Sequence, residues 1–167
     1  EVDNLSKIKI GYVGTISEMK GIYDLIDALR IIKKKDYPFH LYVAGEEIRK
    51  NKPLLNSILK LLAIQRANKV EVKDIISKYG LEENITFLGH LSEMKDFYNT
   101  IDVLCFPSRL NAPGRPIIEA SFYKKPSIAC ISKSYNDTLQ NYKTGIAVDP
   151  KSPRQLANAI IYFLKNK

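Results

Sequence analysis

Two separated stretches of this chain carry residue types that could hold a charged ligand. In the first, Ile8-Lys9-Ile10-Gly11-Tyr12-Val13 reads as a strand running into a turn at Gly14, and Lys20 stands at the start of the helix that follows. Glycine lets a ligand approach the backbone closely, and the free N–H groups and positive dipole end of a helix suit phosphate. In the second, Val103-Leu104-Cys105-Phe106 leads through Pro107-Ser108-Arg109-Leu110-Asn111-Ala112-Pro113 to Gly114 and Arg115, which open a helix with Glu119 one turn in. Arg115 can bond phosphate oxygens bidentately, and Glu119 can accept hydrogen bonds from two vicinal hydroxyls of a ribose. Each turn alone also has a plainer explanation: a surface lysine after a structural glycine, and a carboxylate favourably placed near a helix N-terminus. Together they suggest a nucleotide-sugar site. Neither stretch is a GxGxxG or Walker pattern, which disfavours a dinucleotide cofactor or a P-loop ATPase.

The elements that must position these residues alternate strand and helix from end to end, the pattern of a parallel sheet covered by helices. The expected strands are Ile8–Val13, His40–Ala44, Ile85–Leu88, Asp102–Phe106, Ser127–Ile131 and Gly145–Val148. A helix over about Gly21–Lys35 carries Ile22, Leu25, Ile26, Leu29 and Ile32 at helical spacing. Further helices are expected near Val70–Tyr79, Met94–Asn99, from Arg115 onward (Pro116 suits a first turn) and over Pro153–Leu164. Leu54-Leu55, Ile58-Leu59 and Leu61-Leu62 form an apolar helical stripe, read as an extra helix packed on the sheet. Nearly every strand ends in glycine or proline, at the edge where open α/β sheets bind ligands. The fold class expected is a three-layer, Rossmann-like α/β domain of about six parallel strands with helices on both faces.

With 167 residues, 45% of them hydrophobic, the chain can bury one good core and is read as one domain over 1–167. No apolar run approaches the ~20 residues that span a bilayer. The chain opens on Glu1, which fits a fragment of something longer. Cys105 and Cys130 lie in apolar runs without metal or redox spacing, which fits a reducing, cytoplasmic compartment. The net charge of +8 attracts anions. Its clusters are Lys33-Lys34-Lys35, Arg49-Lys50 with Lys52, Lys124-Lys125, and Lys165 with Lys167, and three of them fall at expected helix ends. No basic stripe with exposed aromatics suggests nucleic acid, so peripheral contact with an anionic membrane, on its inner face, is the better fit. His40 reads as structural. His90, just after Gly89 at a strand end, is a candidate beside the ligand, and nothing supports Ser-His-Asp chemistry.

The order of motifs resembles the C-terminal, donor-binding domain of the group 1 (family 4) retaining glycosyltransferases, which have the two-domain GT-B fold. Val13-Gly14-Thr15 through Lys20-Gly21, with Leu25-Ile26 and Ala28, resembles the family's "VGRL…KG…LI.A". Leu41-Tyr42-Val43-Ala44-Gly45 is similar to its second strand, and Phe87-Leu88-Gly89-His90 to "FLGH". Asp102 to Ser108 resembles "ADV…PS", Gly114-Arg115-Pro116-Ile117-Ile118-Glu119-Ala120 "GRPIIEA", and Gly145-Ile146-Ala147-Val148 "GLLV". The resemblance implies that Lys20 binds the donor diphosphate and that Glu119 holds the ribose. It further implies that backbone around Gly114 and Arg115 contacts phosphates and that Phe87–His90 lies beside the base. It also implies an N-terminal acceptor domain absent from these residues, and catalysis without a metal or other cofactor. The expected donor is a nucleoside-diphosphate sugar, with UDP common in bacterial surface-polysaccharide pathways, and the acceptor a glycan or lipid-linked molecule.

Three positions depart from that pattern. Asn111 occupies the slot of the first glutamate of the family's E-x7-E, Thr15 that of an arginine, and Lys133-Ser134 that of a Gly-Gly pair. Asn111 can still hydrogen-bond a sugar hydroxyl, and Arg115 or Arg109 would make good part of the charge lost at Thr15. The rival reading is a nucleotide-sugar-binding or partner-docking domain that has lost catalysis. A third is a phosphorylase or synthase on the same fold.

Overall fold

The computed structural model describes residues 5–46, 71–132 and 138–166. The stripe of Leu54 to Leu62, the Arg49-Lys50-Lys52 cluster and the Lys133-Ser134 slot lie outside them. In chain order the elements are β1 (Ile8–Val13), a 3-10 turn (Glu18–Lys20), α1 (Ile22–Lys33), β2 (Phe39–Ala44), α2 (Val72–Lys78), a 3-10 turn (Glu82–Asn84) and β3 (Ile85–Gly89). Then follow α3 (Lys95–Thr100), β4 (Val103–Phe106), α4 (Arg115–Phe122), β5 (Ser127–Cys130), β6 (Gly145–Val148) and α5 (Pro153–Lys165). Every expected strand and helix that falls on the described residues is present, with ends differing by one or two residues.

The strands form one sheet in the order β3-β2-β1-β4-β5-β6, every neighbouring pair parallel. In such a sheet the crossovers diverge between β1 and β4, leaving a crevice at their carboxyl ends. One face carries α1, α2 and α5: Ile22, Leu25, Ile26, Leu29 and Ile32 are all but inaccessible and pack with Ile8, Ile10, Leu41, Leu156 and Ile160. Each such side chain contributes about 1.5–3 kcal/mol of transfer free energy. The other face is covered by α3 and α4, through Phe97, Tyr98, Ile101 and Ala120 on Leu104, and Ile117 on Phe106 and Ala129. Helices on both faces explain why β4 and β5 read as continuous apolar runs rather than alternating ones.

Cys105 and Cys130 are both free and buried. Burial pushes the Cys105 thiol well above its usual value, and that of Cys130 up to about 12, with Asp24 and Asp149 adding to the latter. Buried, un-ionised thiols are inert as nucleophiles. Among the described residues no helix is long and apolar enough to cross a membrane.

Candidate functional site

Three strand ends are stitched together at the carboxyl edge. Gly14 N–H donates to Ala44 O at 3.0 Å, Ile16 N–H to Glu46 O at 3.0 Å, and Gly45 N–H to Gly89 O at 2.8 Å. Gly45 has φ 154°, and a Cβ there would fall 1.9 Å from Gly14 O. Only glycine permits that approach, so the turns after β1 and β2 touch directly. Tyr12, buried beneath them, donates its hydroxyl to Thr15 O at 2.8 Å and fixes the turn from below.

Against this stitched edge the N-terminal turn of α4 closes a cleft of about 410 Å³. Its walls are Val13, Gly14 and Thr15 after β1, Ala44, Gly45 and Glu46 after β2, His90, Leu91 and Met94 after β3, and Arg115 with Glu119 on α4. The volume lies in the range of small-molecule sites. Five residues singled out from the sequence, Gly14, Thr15, His90, Arg115 and Glu119, thus meet in one cleft. Gly89 lines an adjoining hollow with Ile16, Glu46 and Phe87.

Glu119 is held from two sides. Its Oε1 accepts from Arg115 Nε at 2.9 Å, one turn away on α4, and its Oε2 accepts from the Tyr98 hydroxyl at 2.8 Å. Tyr98 is fully buried and stacks on Tyr123, ring centroids 5.1 Å apart. Burial first, then the bond to Glu119, pushes the phenol pKa far up, so Tyr98 remains a donor at any working pH. Each Glu119 oxygen keeps a further lone pair for ligand hydroxyls. The Arg115 side chain is 88% exposed, which leaves its guanidinium able to reorient toward an anion.

The other predicted residues occupy the same edge outside the cleft lining. Lys20 is the last residue of the 3-10 turn rather than the first of α1. Ser17 caps that turn, Lys20 N–H bonding its O at 3.2 Å and its Oγ at 3.4 Å, and Gly21 in the left-handed region (φ 75°) separates it from α1. The free amide expected beside Lys20 is therefore occupied. Arg109 spends its guanidinium on Asp24 and Glu18. Asn111, at φ 52°, accepts through Oδ1 from Ser132 N–H at 2.6 Å and from Ser132 Oγ at 3.1 Å, tying the loop after β4 to the end of β5. Gly114 precedes α4 as its N-terminal cap.

Sequence reasoning missed Glu46, Leu91, Met94 and Tyr98. Glu46 had a signal, since it follows the glycine ending β2 just as Thr15 follows Gly14. Tyr98 had none, because its tie to Glu119 spans 21 residues and exists only once α3 and α4 share a face.

The chain is similar to several known proteins. The chain is 28% identical over 151 residues to the capsular polysaccharide biosynthesis glycosyltransferase CapM of Staphylococcus aureus, covering 90% of this chain and 35% of that protein. It is 24% identical over 160 residues to the O-antigen biosynthesis glycosyltransferase WclY of Escherichia coli, covering 96% and 38% respectively. The chain thus spans little more than a third of the length of these relatives. Among solved structures, Anabaena HepE in complex with UDP and glucose superposes with a TM-score of 0.73 at 23% identity, over 96% of this chain and 39% of that one. The C-terminal domain of the group 1 family protein LpcC of Francisella tularensis gives 0.70 at 23% identity, over 98% and 78%. These structures share the fold. The sequence pattern described as "Glycosyl transferases group 1" matches residues 2–167, and the chain belongs to that family.

Proposed function

We propose that this chain is the donor-binding domain of a retaining glycosyltransferase, holding a nucleoside-diphosphate sugar, with UDP as its nucleotide, for transfer to a glycan or lipid-linked acceptor in surface-polysaccharide synthesis. The observation that carries this reading is Glu119, fixed by Tyr98 and Arg115 at the switch-point cleft and facing the glycine turns after β1 and β2. The names of CapM and WclY support the polysaccharide assignment, and the UDP held by HepE supports the nucleotide.

In this reading Glu119 accepts the ribose hydroxyls, and an incoming diphosphate competes with Glu119 for the exposed Arg115. Lys20, at the same edge, adds a second positive charge. The backbone of Gly14 and Thr15 allows close approach of the donor, and His90 stands beside it. As the sugar–phosphate bond breaks, negative charge grows on the departing diphosphate, and fixed cations stabilise that charge more than the ground state. Neutralisation by side chains and backbone N–H groups calls for no metal. The acceptor and the residues that position it belong to a domain beyond these 167 residues.

The test is calorimetric titration of UDP, GDP and ADP into the chain, with and without EDTA. Saturable binding of UDP, weakened at least tenfold by Glu119→Gln and indifferent to EDTA, is expected. No binding of any nucleoside diphosphate would sink the reading, and binding only with Mg²⁺ or Mn²⁺ would overturn its metal-free part.

A further inference from the structure

Arg109 spans the two halves of the edge. Its Nε donates to Asp24 Oδ2 at 2.7 Å and a terminal nitrogen to Asp24 Oδ1 at 2.8 Å, while the other terminal nitrogen donates to Glu18 Oε1 at 2.5 Å. Asp24, in the first turn of α1, is only 8% exposed, so its charge needs a partner held in register. The planar fork of arginine supplies that partner to both oxygens at once. The backbone repeats the connection: Arg109 N–H donates to Met19 O at 3.0 Å, and a Cβ on Gly21 would lie 1.8 Å from Pro107 O. Contacts at residues 18, 19, 21 and 24 therefore bracket Lys20 on both sides, all from a segment about ninety residues later.

The charge balance argues against a direct ligand role for Arg109. One guanidinium against two carboxylates leaves the cluster net negative, a poor anchor for a diphosphate.

We propose that Arg109 is a positioning residue: through Asp24 and Glu18 it locks the Lys20 turn onto the loop after β4 and so sets where Lys20 stands relative to Glu119. The proposal rests on the donor-site reading for its consequence in binding, but its structural half stands apart. Without the side-chain clamp the 3-10 turn keeps its Ser17 cap and the backbone bond from Arg109 N–H to Met19 O, but nothing fixes Glu18 and Asp24 to the loop after β4, and Lys20 samples positions out of reach of the ligand. Asp24 is the discriminating position. If Arg109 bound the diphosphate itself, neutralising Asp24 would free the guanidinium and tighten binding. If Arg109 positions the turn, the same change weakens binding.

The experiment titrates UDP into wild type, Asp24→Asn, Arg109→Met, Arg109→Lys, Lys20→Ala and the Arg109→Met/Lys20→Ala double variant. Amide hydrogen exchange at Lys20 and Gly21 is followed without nucleotide. Asp24→Asn and Arg109→Met should each weaken UDP binding about three- to tenfold, with Arg109→Lys intermediate. Arg109→Met should add little once Lys20 is already alanine, and exchange at both amides should rise at least tenfold in Arg109→Met. Tighter binding by Asp24→Asn, full additivity in the double variant, or unchanged exchange would each overturn the proposal. If wild type binds no nucleoside diphosphate, the donor reading fails, and the exchange data alone decide whether Arg109 clamps the turn. Should Arg109→Met fail to fold, Asp24→Asn and Arg109→Lys carry the same comparison.

Discussion

In the proposed donor site Glu119 would meet its ligand already oriented, because Tyr98 and Arg115 hold its two oxygens from different elements. A carboxylate on a lone helix would lose rotamer freedom on binding, whereas here part of that loss is met in folding. Tyr98→Phe keeps the buried ring and removes only the donor. It should lower stability by about 1 kcal/mol, as for one hydrogen bond, and weaken UDP binding a few-fold, measured by thermal melting and calorimetry on the same samples. Asn111 leads to a different expectation. Its left-handed backbone suits asparagine, and its Oδ1 accepts two bonds from Ser132. Replacing Asn111 by the glutamate that the family pattern favours introduces a longer side chain where φ is 52° and disturbs both bonds. Asn111→Glu should therefore destabilise the chain by about 1–3 kcal/mol in denaturant unfolding. A neutral or stabilising result would mean that Ser132 places no demand on this position. At this scale the sequence disclosed residues with local signatures, such as Arg115 and Glu119 four apart on a helix. It hid Tyr98, and it hid the engagement of Arg109 with Asp24, because those partners are set by tertiary packing.

The same limit appears among the elements. Strands and helices were legible to within one or two residues, since apolar runs bounded by glycine mark β1 and β2 and the spacing of Ile22 to Ile32 marks α1. The break between the 3-10 turn and α1 was not, because it depends on Ser17 capping and on Gly21 meeting the Pro107 carbonyl from the loop after β4. A pairing of strands yields the pH prediction. His40 on β2 is 2.8 Å from Thr86 Oγ1 on β3, and burial, reinforced by Lys7, lowers its pKa below 6.5. With the folded pKa depressed, the unfolded chain binds the proton more readily, so stability is lost as pH falls below about 6.5. Wild type should melt at a lower temperature at pH 5.5 than at pH 7.5, and His40→Gln should narrow that gap. An unchanged gap would place the acid sensitivity elsewhere.

For the whole molecule, the deciding fact is that the cleft opens to solvent beside Arg115. Arg115 is 88% exposed, and the electrostatic attraction of a diphosphate to Arg115 and Lys20 acts largely through water, where each contact is weak and screened by salt. A charge of +8 still draws anions toward the surface. Transfer requires more: the leaving group must be neutralised in a dry, preorganised site, and an acceptor hydroxyl must be held against the anomeric carbon. The relatives are about two and a half times as long as this chain, and in the donor-domain reading that extra length covers the open side of the cleft. The isolated chain should therefore bind UDP-sugar weakly, with affinity falling as salt rises from 50 to about 500 mM in line with shortening of the Debye length. It should release no sugar to an acceptor and form no UDP above the uncatalysed background in a radiolabelled-donor assay. Saturable binding together with measurable transfer by these residues alone would refute the division of labour. Salt-independent binding would mean instead that apolar contact with the base, and not the cations at this edge, supplies the affinity.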